Sequence, residues 1–121
     1  MNWTTTLVIL AVIALTYALK RARQISFTDA MEYLKNGALV IDVRSAAEFK
    51  SGHLPEALNL PLEQIETLLP RSVKDKKQVL LLHCQSGMRS GVAKARLKAL
   101  GYVNVFNLGS YARAAHIVIA K

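Results

Sequence analysis

The chain has 121 residues, a formal net charge of +8 and one cysteine. That length sets a ceiling of one soluble domain, and a lone cysteine excludes an intramolecular disulfide and a cysteine-rich zinc site. His53, His83 and His116 are scattered without ligand spacing, so no metal is expected. No nucleic-acid motif is present and aromatics are not interleaved with the basic residues, so nucleic acid is not an expected partner.

Trp3 to Leu19 reads WTTTLVILAVIALTYAL, 17 residues without a charge. As a helix it would be about 26 Å long, near the lower limit for crossing a bilayer. Trp3 and Tyr17 stand near its ends, where aromatic side chains favour the interface. Lys20, Arg21 and Arg23 follow at once, and no basic side chain precedes the run. The positive-inside rule then places the following residues in the cytoplasm. A cleaved signal peptide would carry its charge on the other side and a small-x-small site after the run. The expectation is a single-pass anchor with its basic juxtamembrane segment over 1–23, a domain over 24–121, and the lipid bilayer as a partner. A short anchor in this orientation fits a bacterial inner (cell) membrane.

Ser26 and Asp29 resemble a capping box with a shortened acid. Ala30, Met31, Tyr33 and Leu34 follow at helical spacing, and Asn36-Gly37 ends the run. ALVIDV (38–43) is apolar and β-branched, a buried strand. SAAEFKSG suggests a short helix stopped by Gly52. Ala57–Leu60 is a short extended piece. Leu62, Ile65, Leu68 and Leu69 form a helical face that Pro70 is expected to close.

QVLLLH (78–83) is the second clear buried strand. Ser90 to Leu100 carries Val92, Ala93, Ala95, Leu97 and Leu100 with basic residues between them, then Gly101 as a helix stop. VNVFNL is a third strand, and the last segment ends as a helix. Alternating strands and helices argue for a mostly parallel sheet covered on both faces. Ligands in such sheets lie beyond the carboxyl ends of the strands, and Cys84 follows such an end.

Arg71 to Lys98 holds eight Lys or Arg against one acid, Asp75. Either these are solvated faces, or they make a positive field around the cysteine that attracts an anionic substrate or lipid.

The loop around that cysteine reads HCQSGMRSG, a strand end, then C-x-x-G-x-R, then a helix. A helix N-terminus offers unpaired N–H groups and partial positive charge, which favour a thiolate. Gly87 allows a tight bend that turns successive amides inward. Arg89 adds a permanent cation. Such a loop suits a nucleophilic sulfur with an anionic substrate. The competing reading is an inert, buried cysteine.

DVRSAAEFKSGHLPEALNLPL (42–62) resembles the hallmark of rhodanese domains, Asp-x-Arg followed by Glu-Phe and Gly-His-Leu-Pro-x-Ala-x-Asn-Leu-Pro. CQSGMRS resembles their active-site loop, and GYVNVFNLGS their closing segment. The similarity spans Ile25 to about Arg113. It implies an α/β sandwich around a five-stranded, mostly parallel sheet flanked by helices, here preceded by the transmembrane helix. It implies a sulfurtransferase in which Cys84 is nucleophile and sulfur carrier. The persulfide would be cradled by the backbone of Gln85, Ser86, Gly87, Met88, Arg89 and Ser90. Arg89, with the Gln85 and Ser86 side chains, would meet an anionic donor such as thiosulfate. Asp42 and Arg44 would support the site structurally, and His53 would be a hydrogen-bonded turn residue.

No metal or organic cofactor is implied. Cyanide, a small thiol or a protein cysteine would accept the sulfur. Gly109-Ser110-Tyr111 stands where many members carry Gly-Gly-Trp. Two other readings remain open. One is a noncatalytic docking or sulfide-sensing module of the same family. The other is a cysteine phosphatase or arsenate reductase, favoured by His83-Cys84. Those phosphatases place Arg six residues past the cysteine, whereas Arg89 is five past Cys84.

Overall fold

A computed structural model describes residues 2–121. Helix α1 spans Trp3–Ala22, and Asn2 caps it by accepting the Thr5 N–H at Oδ1 (2.9 Å). None of Trp3–Lys20 is buried in the protein. It is not part of this domain's core, and it is long and apolar enough to cross a membrane.

The remaining elements follow in the expected order. They are α2 (Phe27–Lys35), β1 (Leu39–Asp42), α3 (Ala46–Ser51), β2 (Leu58–Asn59), a 3-10 turn (Leu62–Gln64), α4 (Ile65–Ser72), β3 (Leu80–His83), α5 (Met88–Ala99), β4 (Val105–Gly109) and α6 (Tyr111–Ala120). Pro70 does not close α4 as expected. It sits inside the helix, which runs two residues further and closes with Val73 N–H to Leu69 O at 2.8 Å. A proline this near a helix end removes one bond and leaves the last turn intact.

The sheet is fully parallel, in the order β2-β1-β3-β4. It has four strands, not the expected five. The segment before α2 reaches the free edge of β4 but forms one backbone bond there among the described residues, Ile25 N–H to Asn107 O (3.0 Å). The Ile25 carbonyl is taken by the Arg113 guanidinium instead. A side chain has replaced the next rung, so no ladder starts.

The two-residue period of the strands sorts the core into two layers. Ile41, Leu80, Leu82, Cys84 and Val105 face α4 and α5. Val40, Leu81 and Leu108 face α2 and α6. Leu80, Leu81 and Leu82 are all wholly buried, each contributing roughly 1.5–3 kcal/mol. Facing helices on both sides is why this strand reads as a continuous apolar run.

The register of β3 on β4 slips by one residue between Leu82 and His83, so His83 pairs with Gly109. Such slips bend a strand locally. This one lies directly before Cys84 and lets the Cys84 N–H reach Gly109 O (3.3 Å).

Candidate active site at the carboxyl end of β3

Cys84 follows β3 at the carboxyl edge of the sheet, on the α4/α5 side. It is wholly buried. The loop returns over it because Gly87 adopts a left-handed φ of 92° at the start of α5. A Cβ at Gly87 would lie 3.2 Å from the Gly109 backbone, so conformation and space both require glycine there. Helix α5 has no side-chain cap. Its free N–H groups are left to the sulfur. The Gly87 N–H donates to Cys84 Sγ at 3.0 Å, and Ser90 Oγ lies 3.5 Å away.

Burial pushes the thiol up, but it is outweighed. Hydrogen bonds from the Ser90 hydroxyl and from the Ser90, Gly87 and Ser86 amides hold it below its ordinary value. Ser90 has only one proton, and its hydroxyl also donates to Asn107 Oδ1 at 2.7 Å. With a neutral thiol, Sγ–H can donate to Ser90 Oγ while Ser90 serves Asn107. With a thiolate, the Ser90 proton can turn to sulfur, because Asn107 Oδ1 keeps the Gly109 N–H (2.8 Å). Asn107 Nδ2 meanwhile donates to Gly87 O at 3.1 Å. One buried amide on β4 therefore fixes both the bend and the hydroxyl of the loop.

Gln85, Ser86 and Met88 are exposed, and Gly87 and Ser90 are buried. Ser86 bridges to Ser110, and Tyr111 N–H donates to Gln85 O (3.2 Å), so the segment after β4 flanks the loop. Arg89 does not point free into the loop. Its guanidinium grips Glu48 of α3 with two bonds, Nη1–Oε1 at 2.7 Å and Nη2–Oε2 at 3.0 Å. Glu48 also closes a capping box with Ser45 at the start of α3. Arg89 first, then the Ser45 N–H, pulls the Glu48 carboxyl down to about 2.

Asp42 and Arg44 lie on the other face of the sheet. Arg44 Nη2 pairs with Asp42 Oδ2 at 2.7 Å and with Gly52 O at 2.7 Å. The guanidinium also sits 4.6 Å over the Tyr111 ring, which links this buried pair to the flank of the Cys84 loop. His83 is wholly buried there, and burial pushes its imidazole down. Neither ring nitrogen has a hydrogen-bond partner among the described residues. His53 Nδ1 bonds Phe49 O (2.8 Å) and the ring stacks on Phe49 at 3.7 Å, a turn residue as expected.

The basic segment does not surround the cysteine as one field. Lys76 O accepts from Val103 N–H, Lys76 Nζ lies 4.0 Å over the Tyr102 ring, and Lys77 O accepts from Asn104. These cations stand at the amino ends of β3 and β4, a sheet length from Sγ. Glu48 and Asn107 were not singled out in the sequence. Each had a trace: Ser45-x-x-Glu48 is a capping-box pattern, and Asn107 is a polar residue at an inward position of β4. Among the described residues no cluster could hold a metal ion.

The family model of the rhodanese-like domain matches residues 26–113. The chain is 35% identical over 69 residues to the thiosulfate sulfurtransferase PspE of Escherichia coli, covering 57% of this chain and 66% of that one. It is 31% identical over 75 residues to the tRNA uridine(34) hydroxylase of Erwinia tasmaniensis, covering 59% of this chain and 21% of that one. Among solved structures, human single domain sulfurtransferase TSTD1 matches with a TM-score of 0.66 and 27% identity over 78% of this chain and 96% of that one, and a rhodanese from E. coli with a TM-score of 0.61 and 31% identity over 64% of this chain and 91% of that one. The match spans less than two thirds of the length of these curated relatives. With the family's motif on a parallel sheet and the cysteine at its carboxyl edge, the chain belongs to the rhodanese-like domain family.

Proposed function

We propose that the chain is a membrane-anchored sulfurtransferase that carries sulfane sulfur as a Cys84 persulfide. The observation that carries this reading is the sulfur at the open start of α5, with the Gly87 N–H 3.0 Å away and the Ser90 hydroxyl at 3.5 Å. The Cys84 thiolate attacks the sulfane sulfur of a donor such as thiosulfate. A Cys84 Sγ–S bond forms, the donor S–S bond breaks, and sulfite leaves with the electron pair. Cyanide or a thiolate then takes the outer sulfur, and the Cys84 thiolate is restored. The loop amides hold negative charge at each stage without a cofactor. The chain has no second cysteine, so any resolving thiol comes from another molecule.

Residues 1–23 are the anchor and 24–121 the catalytic domain in this reading. An apolar helix with no buried residue supports it, as does the cationic run that follows. The same asymmetry supports a single pass through a bacterial inner membrane with the domain in the cytoplasm. A phosphatase would need its arginine around several phosphoryl oxygens, whereas Arg89 is engaged by Glu48.

The test is an intact mass of the full chain in detergent after thiosulfate. The expected result is the gain of one sulfur atom, lost on adding cyanide and absent in Cys84→Ala. A chain that gains no sulfur from any sulfane donor is not a sulfurtransferase. An aryl phosphate hydrolysed under the same conditions would point to the phosphatase instead. Retention in the membrane after an alkaline carbonate wash tests the anchor.

A further inference from the structure

The catalytic loop and the end of α1 share one edge of the sheet. Gln24 is packed against the loop: a Cβ at Gly109 would lie 2.7 Å from Gln24 Nε2, and one at Gly87 would lie 3.4 Å from it. The next residue is pinned as well, through Ile25 N–H to Asn107 O and Arg113 to Ile25 O. Only four residues lead from Lys20, the first cation after the apolar run, to Gln24. Fully extended they reach at most ~14 Å. Whatever the tilt of α1, the loop cannot stand far from the headgroups.

Three further observations describe that edge. Tyr17 and Lys20 of α1 join Gln24, Phe27, Ser110 and Arg113 in lining a cleft of about 720 Å³ beside the loop. Met88, the first residue of α5, is 74% exposed, and Phe27, the first of α2, is 42% exposed. Lys74, Lys76 and Lys77 lie before β3, so the exposed cation cluster is at the far end. The edge next to the bilayer thus carries the buried Cys84 sulfur, exposed apolar side chains and the cleft cations Lys20 and Arg113.

We infer that the acceptor of the Cys84 sulfur is a thiol held at the bilayer surface. The inference rests on the sulfurtransferase reading above. A thiol moving in the membrane plane meets this edge at a high effective concentration. A folded soluble carrier would have to enter between the edge and the headgroups. The step is an exchange in which the membrane thiolate attacks the outer sulfur of the Cys84 persulfide. A new S–S bond forms on the acceptor, the Cys84 Sγ–S bond breaks, and the electron pair returns to Cys84 as thiolate. No oxidant or reductant is consumed.

The test uses the full chain in phosphatidylcholine liposomes that contain some phosphatidylthioethanol, a lipid with a thiol headgroup. After loading with thiosulfate, lipid persulfide is followed by mass spectrometry. A second chain carries a flexible Gly/Ser spacer of about 20 residues between Ala22 and Arg23, which adds a mean reach of roughly 25 Å. The spacer is expected to slow transfer to the lipid thiol by about fivefold or more and to leave thiosulfate–cyanide turnover unchanged. Equal rates to the lipid thiol in the two chains overturn the inference. So does a loaded chain that serves a soluble thiol and not the lipid. A chain that does not float with the liposomes, or takes up no sulfur, overturns this inference together with the reading beneath it.

Discussion

Arg89 and Glu48 form a two-bonded ion pair between the Cys84 loop and α3, 41 residues apart in sequence. The cation that the sequence assigns to an anionic donor is already matched by a carboxylate. Under the sulfurtransferase reading, donor binding competes with Glu48 for the guanidinium. Both side chains are about one-third exposed, and such pairs contribute ~0.2–1 kcal/mol. Glu48→Gln keeps the α3 capping box, since glutamine serves there too, but removes the competing charge. KM for thiosulfate should fall by up to about fivefold with kcat little changed, whereas Arg89→Gln should raise KM. Steady-state kinetics at constant ionic strength decide it. A rise in KM for Glu48→Gln would mean that Glu48 positions Arg89 rather than competing for it.

The same carboxyl sets an acid limit. Its value falls from the ordinary 4.5 to about 2 in the folded protein. The depressed acid stabilises the fold above pH 4.5, and this contribution is lost as pH falls from 4.5 towards 2. Glu48→Gln lacks this contribution at every pH, so only the wild type loses it on acidification. The wild-type minus Glu48→Gln stability difference should be flat above pH 5 and shrink below it. A difference that grows on acidification is the opposite sign and would refute the pairing.

Ser90 predicts a kinetic signature. Its hydroxyl and the loop amides together hold the Cys84 thiol down against burial. With Ser90→Ala the burial remains and one donor is lost, so the thiol should titrate at higher pH. The rate of sulfur uptake rises with the thiolate fraction, so its pH profile should move to higher pH and reach a similar plateau. A lowered plateau with an unmoved profile would instead assign Ser90 to packing alone.

The strands around Cys84 were legible because β3 is a continuous apolar run ended by a short glycine loop, and that pattern needs no knowledge of distant residues. The turn at Gly87 was legible for the same local reason. The fifth strand was not, because its failure depends on Arg113 reaching Ile25 from 88 residues away. Nor was the partner of Arg89, since Glu48 is brought beside it only when α3 and α5 meet at one sheet edge. The cationic run left two readings open, solvated faces or a field around the cysteine, and the fold decides between them. Its members are neighbours in sequence, but β3 carries Lys74–Lys77 and Arg89 to opposite ends of the sheet.

Gly87 gives the most local test of the site. Alanine there must hold φ near 92° and place its Cβ 3.2 Å from the Gly109 backbone. Left-handed backbone costs a non-glycine residue about 1–2 kcal/mol, and the close approach adds to it. Gly87→Ala should unfold more easily and take up sulfur slowly, because the amide that donates to Sγ is displaced. Gly37 is the control: it has a similar φ of 92° but no atom within 4 Å of an added Cβ. Gly37→Ala should lose stability by the backbone strain alone and keep its rate of sulfur uptake. Equal rates in the two variants would show that the Gly87 bend does not set the reactivity of Cys84.

His83 predicts a change in stability with pH. Its ring is wholly buried without a hydrogen-bond partner among the described residues, although Asp42 Oδ2 stands 3.9 Å from Nε2. Burial pushes the imidazole down; the Asp42 charge and the Cys84 backbone oppose this, and the Arg44 charge adds to it. The folded protein therefore holds this ring neutral where the unfolded chain would protonate it. Because the folded value is depressed, the stabilisation is complete above the ordinary value of 6.5 and is lost as pH falls below it. His83→Leu fills the same space beside Tyr111 and leaves no orphaned ring nitrogen. An unsatisfied buried group costs about 1–3 kcal/mol, so the variant should match or exceed the wild type at pH 7, and its advantage should widen between pH 6.5 and 5. Denaturant melts at several pH values measure this directly. A wild type that gains on the variant as pH falls would mean that the ring binds a proton in the folded state and pairs with Asp42.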